Sequence, residues 1–128
     1  MEKLIHPEIS YKIGGVVFSA HNNLGQFCNE QQYGDFIENE FIKKSIKYER
    51  EKIVPLSFEN EFRGRNKIDF LVEDNVVLEI KAKRIVTTED YYQVKRYLVA
   101  FDKKLGILVN FRVKYVTPKR ILNSSAKS

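Results

Sequence analysis

The sequence holds one cysteine, no tryptophan, three prolines and six glycines. A lone thiol, Cys28, can form no intramolecular disulfide and is not a zinc site, so disulfide scaffolds and zinc fingers are excluded and a reducing compartment is expected. Glycine and proline are too sparse for collagen or a low-complexity linker. The longest late apolar stretch, around Leu105–Val109, falls far short of the roughly 20 residues that span a bilayer. The start, Met1 to Pro7, carries no apolar run of a signal peptide. These absences predict a cytoplasmic protein without a membrane partner.

What is present suits one folded domain. The 128 residues are 43% hydrophobic and 12% aromatic, and a chain of this length can bury about two-thirds of its unfolded surface without a staple. The expected domain covers residues 1–122, and 123–128 (Asn-Ser-Ser-Ala-Lys-Ser) reads as a flexible tail. The net charge of +5 is unevenly spread. Residues 1–60 carry 7 basic and 9 acidic side chains, a net of −2, whereas residues 61–128 carry 15 and 8, a net of +7. A basic half suits a polyanion, nucleic acid first, although a merely solvated basic surface gives the same count.

Apolar residues at Ile9, Ile13, Val16, Val17, Ala20 and Leu24 keep helical spacing after Pro7, a favourable helix start, and Gly25 suits the end. Asn29 with Gln32 three residues on forms a capping pattern for a second helix over about 30–45, whose apolar stripe is Tyr33, Phe36, Ile37 and Phe41. The period then changes to two. A strand is expected over Tyr48–Phe58, with a bulge or an edge at Pro55. Two more, Lys67–Val72 and Val76–Lys81, are split by Glu73-Asp74-Asn75. Thr87 or Thr88 caps a third helix running to about Phe101, with Glu89 and Asp90 in its first turn. Gly106–Phe111 and Val113–Ile121 read as the last strands. The order α-α-β-β-β-α-β-β defines an α/β domain with a mixed sheet.

The central hairpin carries the chemistry. Ile68, Phe70, Val72, Val76, Leu78 and Ile80 share one face only if 72 pairs with 76, 70 with 78 and 68 with 80, which needs the three-residue loop 73–75. Asp69 then lies opposite Glu79, with Cβ atoms about 5 Å apart, and Lys81 shares their face. Opposed carboxylates destabilise a sheet unless a cation lies between them. Hard oxygen ligands of this kind suit Mg²⁺, or Mn²⁺, together with substrate phosphate and water. Lys81 would then stand beside a scissile phosphate. The same alternation also describes a plain solvated strand face, but Leu71 and Val77 between the charges imply partial cover.

Asp69 followed by Glu79-Ile80-Lys81 resembles the core of the PD-(D/E)xK nuclease superfamily, and the element order fits its restriction-endonuclease-like fold. More narrowly, residues from about Ile5 to Asn123 resemble the GxxExxY proteins within it. The matching pieces are Leu24-Gly25, Glu30-Gln-Gln-Tyr33, Ile68–Val72, Leu78–Ala82, Gln93-Val-Lys-Arg-Tyr97-Leu98 and Leu105–Phe111. Phe27 stands where that motif has its glycine. The resemblance implies that Asp69 and Glu79 are metal ligands, with the Ile80 carbonyl and the helical Glu30 as further donors, and that Lys81 is the catalytic lysine. Gln93 and Tyr97 are similar to the Gln-x-x-x-Tyr motif of the RecB-like branch. At i,i+4 they share a helix face and could order a lysine or touch a phosphate. Glu30 is equally a favourable charge in a first helical turn, and Tyr97 equally a core residue.

Arg65, Lys67, Lys83, Arg84, Lys95 and Arg96 surround this constellation and are the expected phosphate contacts. The expectation is therefore a Mg²⁺-dependent nuclease acting on DNA rather than RNA. The alternative is a catalytically silent nucleic-acid-binding or assembly module on the same fold. A homodimer is a further expectation, since such nucleases often pair. His6 and His21 are assigned no role.

Overall fold

The computed structural model describes residues 4–127. Met1–Lys3 of the expected domain and Ser128 of the expected tail lie outside the described residues. Eight elements follow one another: α1 (Pro7–Leu24), α2 (Glu30–Lys43), β1 (Tyr48–Ile53), β2 (Lys67–Val72), β3 (Val76–Lys81), α3 (Thr88–Phe101), β4 (Leu105–Asn110) and β5 (Lys119–Leu122). This is the expected order.

The helix ends form where the local chemistry places them. Pro7 occupies the first turn of α1, and Gly25 closes it at φ 74°, a conformation that glycine adopts without steric cost. The Asn29 side chain accepts from Gln32 N–H while the Asn29 N–H donates to Gln32 Oε1, the reciprocal capping that the sequence announced. At α3 the Thr87 N–H donates to Asp90 Oδ2 at 2.7 Å.

The strands form one sheet in the order β1-β2-β3-β4-β5. All neighbours are antiparallel except β3 and β4, which run parallel with α3 as their crossover. One face packs against α1 and α2 through Ile13, Val17, Tyr33, Phe41, Phe70 and Leu78. The other packs against α3 through Leu71, Val77, Val94, Leu98 and Leu108. Aromatic contacts knit the first layer: Phe111 stacks on Tyr33 with centroids 4.1 Å apart, and Phe41 meets Phe70 edge-on at 5.4 Å.

α3 approaches β4 closely at Gly106. A Cβ there would lie 2.6 Å from Val94 Cγ1. Gly106→Ala is therefore expected to lower the unfolding free energy by about 1–3 kcal/mol through overpacking, measured by chemical denaturation.

Several boundaries differ from the sequence reading. β1 ends at Ile53 rather than Phe58, because Leu56 and Phe58 are exposed and find no sheet partner. Residues 54–66 form irregular chain instead. β4 starts one residue earlier than expected, and β5 is confined to Lys119–Leu122. Ile68, expected beside Phe70, packs instead with Leu71 and Val77 beneath α3, so the strand changes face at Asp69. Asn123, the first residue of the expected tail, is only 7% exposed. Its N–H bonds Lys104 O at 2.9 Å, and Lys127 N–H reaches Asp102 Oδ1 at 3.1 Å.

Candidate active site

The hairpin register is the expected one near the turn, where Val72 pairs with Val76, Leu71 with Val77 and Phe70 with Leu78, but the expected pairs 68 with 80 and 69 with 79 do not form, and Ile68 and Ile80 pack on opposite faces of the sheet. The intervening turn places Glu73 and Asp74 at φ 52° and 59° and is tied by Asn75 N–H to Val72 O. Beyond Phe70 the regular pairing of β2 with β3 stops. On the other side of β2, the pairing with β1 joins Arg50 to Phe70 and Lys52 to Ile68. It skips Glu51, which takes φ 53°, and Asp69.

Side chains replace the missing rungs. The Asp69 N–H donates to Glu79 Oε1 at 2.8 Å, and the Ile80 N–H donates to Asp69 Oδ2 at 2.7 Å. Each carboxylate is thus fixed by a backbone group of the opposite strand, and Asp69 Oδ1 and Glu79 Oε2 stand outside these two bonds. Glu79 is only 4% exposed. Burial, then the charge of Asp69, pushes its carboxyl up to about 8, against the opposing pull of the Asp69 N–H and Lys81. Burial also raises Asp69, with the charge of Glu30 adding to it and the Ile80 N–H, Lys81 and Arg50 opposing. Two acids held together and dried in this way suit a cation.

Lys81, half-buried, donates from Nζ to Gln93 Oε1 at 2.8 Å, and Asp90 Oδ1 lies 4.0 Å from the ammonium. The helix-face argument for Gln93 as a lysine-ordering group corresponds to this bond. Tyr97 is 6% exposed and packs with Leu71 and Val77 under α3. Burial, then the charge of Glu79, raises its hydroxyl pKa, so the ring is both a core residue and a neighbour of the acids.

Glu30, in the first turn of α2, shares a cleft of about 220 Å³ with Gly34, Arg50, Glu51, Asp69 and Ile80. Its charge is felt by both Asp69 and Glu79. Among the described residues no three side chains of His, Cys, Asp and Glu converge as a metal cluster. Asp69 and Glu79 supply two neighbouring carboxylates, and Glu30 and Ile80 line the cleft beside Asp69. Those hard oxygens fit a magnesium-type ion, which keeps several waters of its own.

The expected phosphate contacts divide. Arg65, Lys67, Arg84 and Arg96 are exposed. Lys83 forms an ion pair with Asp90, and Lys95 donates to Leu122 O, so both already have partners within the chain. Two residues were not singled out from sequence. Arg50 bonds Asp35 at 2.7 Å and Glu38 at 3.1 Å and lines the Asp69 cleft. Its guanidinium sits where a Cβ on Gly34 would be, 2.5 Å away, and the glycine inside a helix was the available signal. Asp90 was read only as a first-turn charge. Burial pushes its carboxyl up, but bonds from Lys83 and Thr87 outweigh this and hold it below the usual range. His21 bonds Val113 O at 2.8 Å and faces Phe111, a structural position.

A three-layer α/β/α domain, with opposed carboxylates where two antiparallel strands part and a lysine two residues on, defines the restriction-endonuclease-like class of folds. Residues 7–121 match the PD-(D/E)XK nuclease superfamily, and the chain belongs to that superfamily. No curated protein sequence and no solved structure matches it. Among the described residues no helix is long and apolar enough to cross a membrane.

Proposed function

We propose that this protein is a Mg²⁺-dependent nuclease, also served by Mn²⁺, that hydrolyses phosphodiester bonds in DNA. The observation that carries the reading is the interlock of the partly buried Asp69 and the buried Glu79, each held by the other strand's N–H, with Lys81 beside them bonded to Gln93. Asp69 and Glu79 would hold the ion, with Glu30 and the Ile80 carbonyl as further oxygen donors. When bound, the ion supplies Lewis-acid polarisation of a phosphoryl oxygen and makes a water a better nucleophile at neutral pH.

The chain's own groups do the rest. Lys81 spends one donor on Gln93 and has two more for a phosphate oxygen or the attacking water. A fixed ammonium there stabilises negative charge that develops as the phosphodiester opens. Gln93 positions Lys81, and Tyr97 keeps water from the flank of Glu79. Exposed Arg65, Lys67, Arg84 and Arg96 contact the backbone phosphates.

The test is cleavage of labelled single-stranded and duplex DNA with Mg²⁺ or Mn²⁺. Asp69→Ala and Lys81→Ala are each expected to lower the rate by about 10²-fold or more, as loss of a preorganised charge-stabilising group does. Equal rates in wild type and both variants would sink the reading.

A further inference from the structure

Asp90, in the first turn of α3, makes its bonds through one oxygen. Its Oδ2 accepts the Thr87 N–H at 2.7 Å and the Thr87 hydroxyl at 3.2 Å, and it pairs with Lys83 Nζ at 2.5 Å. Its Oδ1 takes none of these bonds and stands 4.0 Å from Lys81 Nζ. The residue is buried, and three partners on one oxygen fix where the other points. Lys83 is fixed in turn. Its N–H donates to Asn110 Oδ1 at 3.1 Å, and its carbonyl accepts from Asn110 Nδ2 at 2.7 Å. These bonds fall just beyond the last β3–β4 pair, Lys81 with Asn110. The Asn110 amide thus stands in for a backbone rung and ties the chain leaving β3 to β4.

The Lys81 ammonium is bracketed by α3. Gln93 Oε1 accepts from it at 2.8 Å, and Asp90 lies three residues earlier on the same helix face. The two groups differ in kind, since Gln93 is a neutral acceptor and Asp90 carries a charge. From the strands Asp69 and Glu79 attract the same ammonium. An ion held by those acids would cancel their attraction and itself repel Lys81. Asp90 is the acid beside Lys81 that such an ion leaves alone. Lys83 shares the carboxylate, but through Oδ2, so Oδ1 stays with Lys81.

We propose, resting on the nuclease reading above, that Asp90 is a positioning residue for Lys81. With Oδ2 locked by Thr87 and Lys83, Oδ1 keeps the Lys81 ammonium against α3 beside Gln93, and the remaining donors of Lys81 face the phosphate. Lys83 belongs to the same device, because its ammonium sets the carboxylate. Asp90 touches no reacting atom, and its effect reaches the phosphate through Lys81.

The experiment reads Lys81 with and without turnover. Asp90→Asn keeps an oxygen for the Thr87 N–H but removes the charge. Glu89→Gln removes an exposed acid from the same helical turn and controls for the helix start. In metal-dependent cleavage of DNA, Asp90→Asn is expected to lower kcat about tenfold or more, with KM within about twofold of the wild type. Asp90→Glu should recover most of that loss, and Glu89→Gln should change neither constant. In EDTA, the ¹⁵Nζ shift of Lys81 is read through its ε-methylene protons and assigned by its loss in Lys81→Arg. It should move in both Asp90→Asn and Lys83→Met and stay in place in Glu89→Gln. A shift that moves no further in Asp90→Asn than in Glu89→Gln would overturn the proposal, as would wild-type kcat in Asp90→Asn, even if cleavage depends on Lys81. A shift confined to Asp90→Asn and Lys83→Met, in a protein that cleaves no DNA with any metal, would leave the positioning standing and remove the nuclease.

Discussion

Glu79→Gln is expected to make the metal-free protein more stable while abolishing cleavage. Glu79 is buried beside Asp69, and its carboxyl is raised to about 8 from 4.5. The folded state therefore holds this proton more tightly than the unfolded chain does. Its contribution is fully present below the unfolded value near 4.5 and is lost as pH rises through about 8. At about 1.4 kcal/mol per pH unit, the wild type should forfeit about 3 kcal/mol between pH 4.5 and pH 7, and glutamine, which cannot ionise, forfeits none. The substituted amide keeps an oxygen for the Asp69 N–H, so the strands stay locked. In EDTA at pH 7 the variant should melt roughly 5–10 °C above the wild type, and the gap should close towards pH 4.5. Added Mg²⁺ should raise the wild-type melting temperature and leave the variant unmoved. A variant that melts lower than the wild type at pH 7 would show that Glu79 is a supporting residue rather than a strained one.

Phe111→Ala carries the second large expectation. Phe111 is fully buried at the end of β4 and stacks on Tyr33, whose hydroxyl donates to Gly25 O at the close of α1. One ring thus joins the sheet, the first turn of α2 and the α1–α2 connection. Its removal is expected to cost about 3–5 kcal/mol of stability, read from chemical denaturation. Tyr33 lies one turn beyond Glu30, so the loss should also loosen the Glu30 side of the cleft. Hydrogen exchange should rise first across residues 25–34, ahead of the β2–β3 hairpin. Uniform loss of protection across the chain would count against this local anchoring.

The sequence made legible what depends on short-range patterning. The Asn29–Gln32 cap, the three-residue turn at 73–75 and the pairing of 72 with 76 and 70 with 78 follow from side-chain chemistry within a dozen residues, whereas the bonds that join Asp69 and Glu79 form where that register breaks. The Gln93–Lys81 bond was within reach because the i,i+4 spacing to Tyr97 marked a helix face. What escaped depends on contacts far apart in sequence. Arg50 reaches the cleft from β1 only because Gly34 leaves space on α2. Asp90 forms an ion pair with Lys83 across the β3–α3 connection. Ile68 obeyed the alternation of its strand on paper, but the strand changes face at Asp69, where side chains take over from backbone pairing. The apolar residues after Pro55 suggested more strand because periodicity alone does not tell a buried face from an exposed aromatic loop.

The exchange of backbone rungs for carboxylates at Asp69 and Glu79 makes assembly of the site inseparable from correct pairing of the hairpin. A slip of one residue would bury one acid in the apolar layer, and a slip of two would pull the acids apart along the strands. Either way the Ile80 N–H would lose its acceptor. No misaligned hairpin can thus present both acids to an ion. On the proposed reading, a divalent ion would bind only the aligned form and so select that register, and its affinity would measure how faithfully the sheet has been put together.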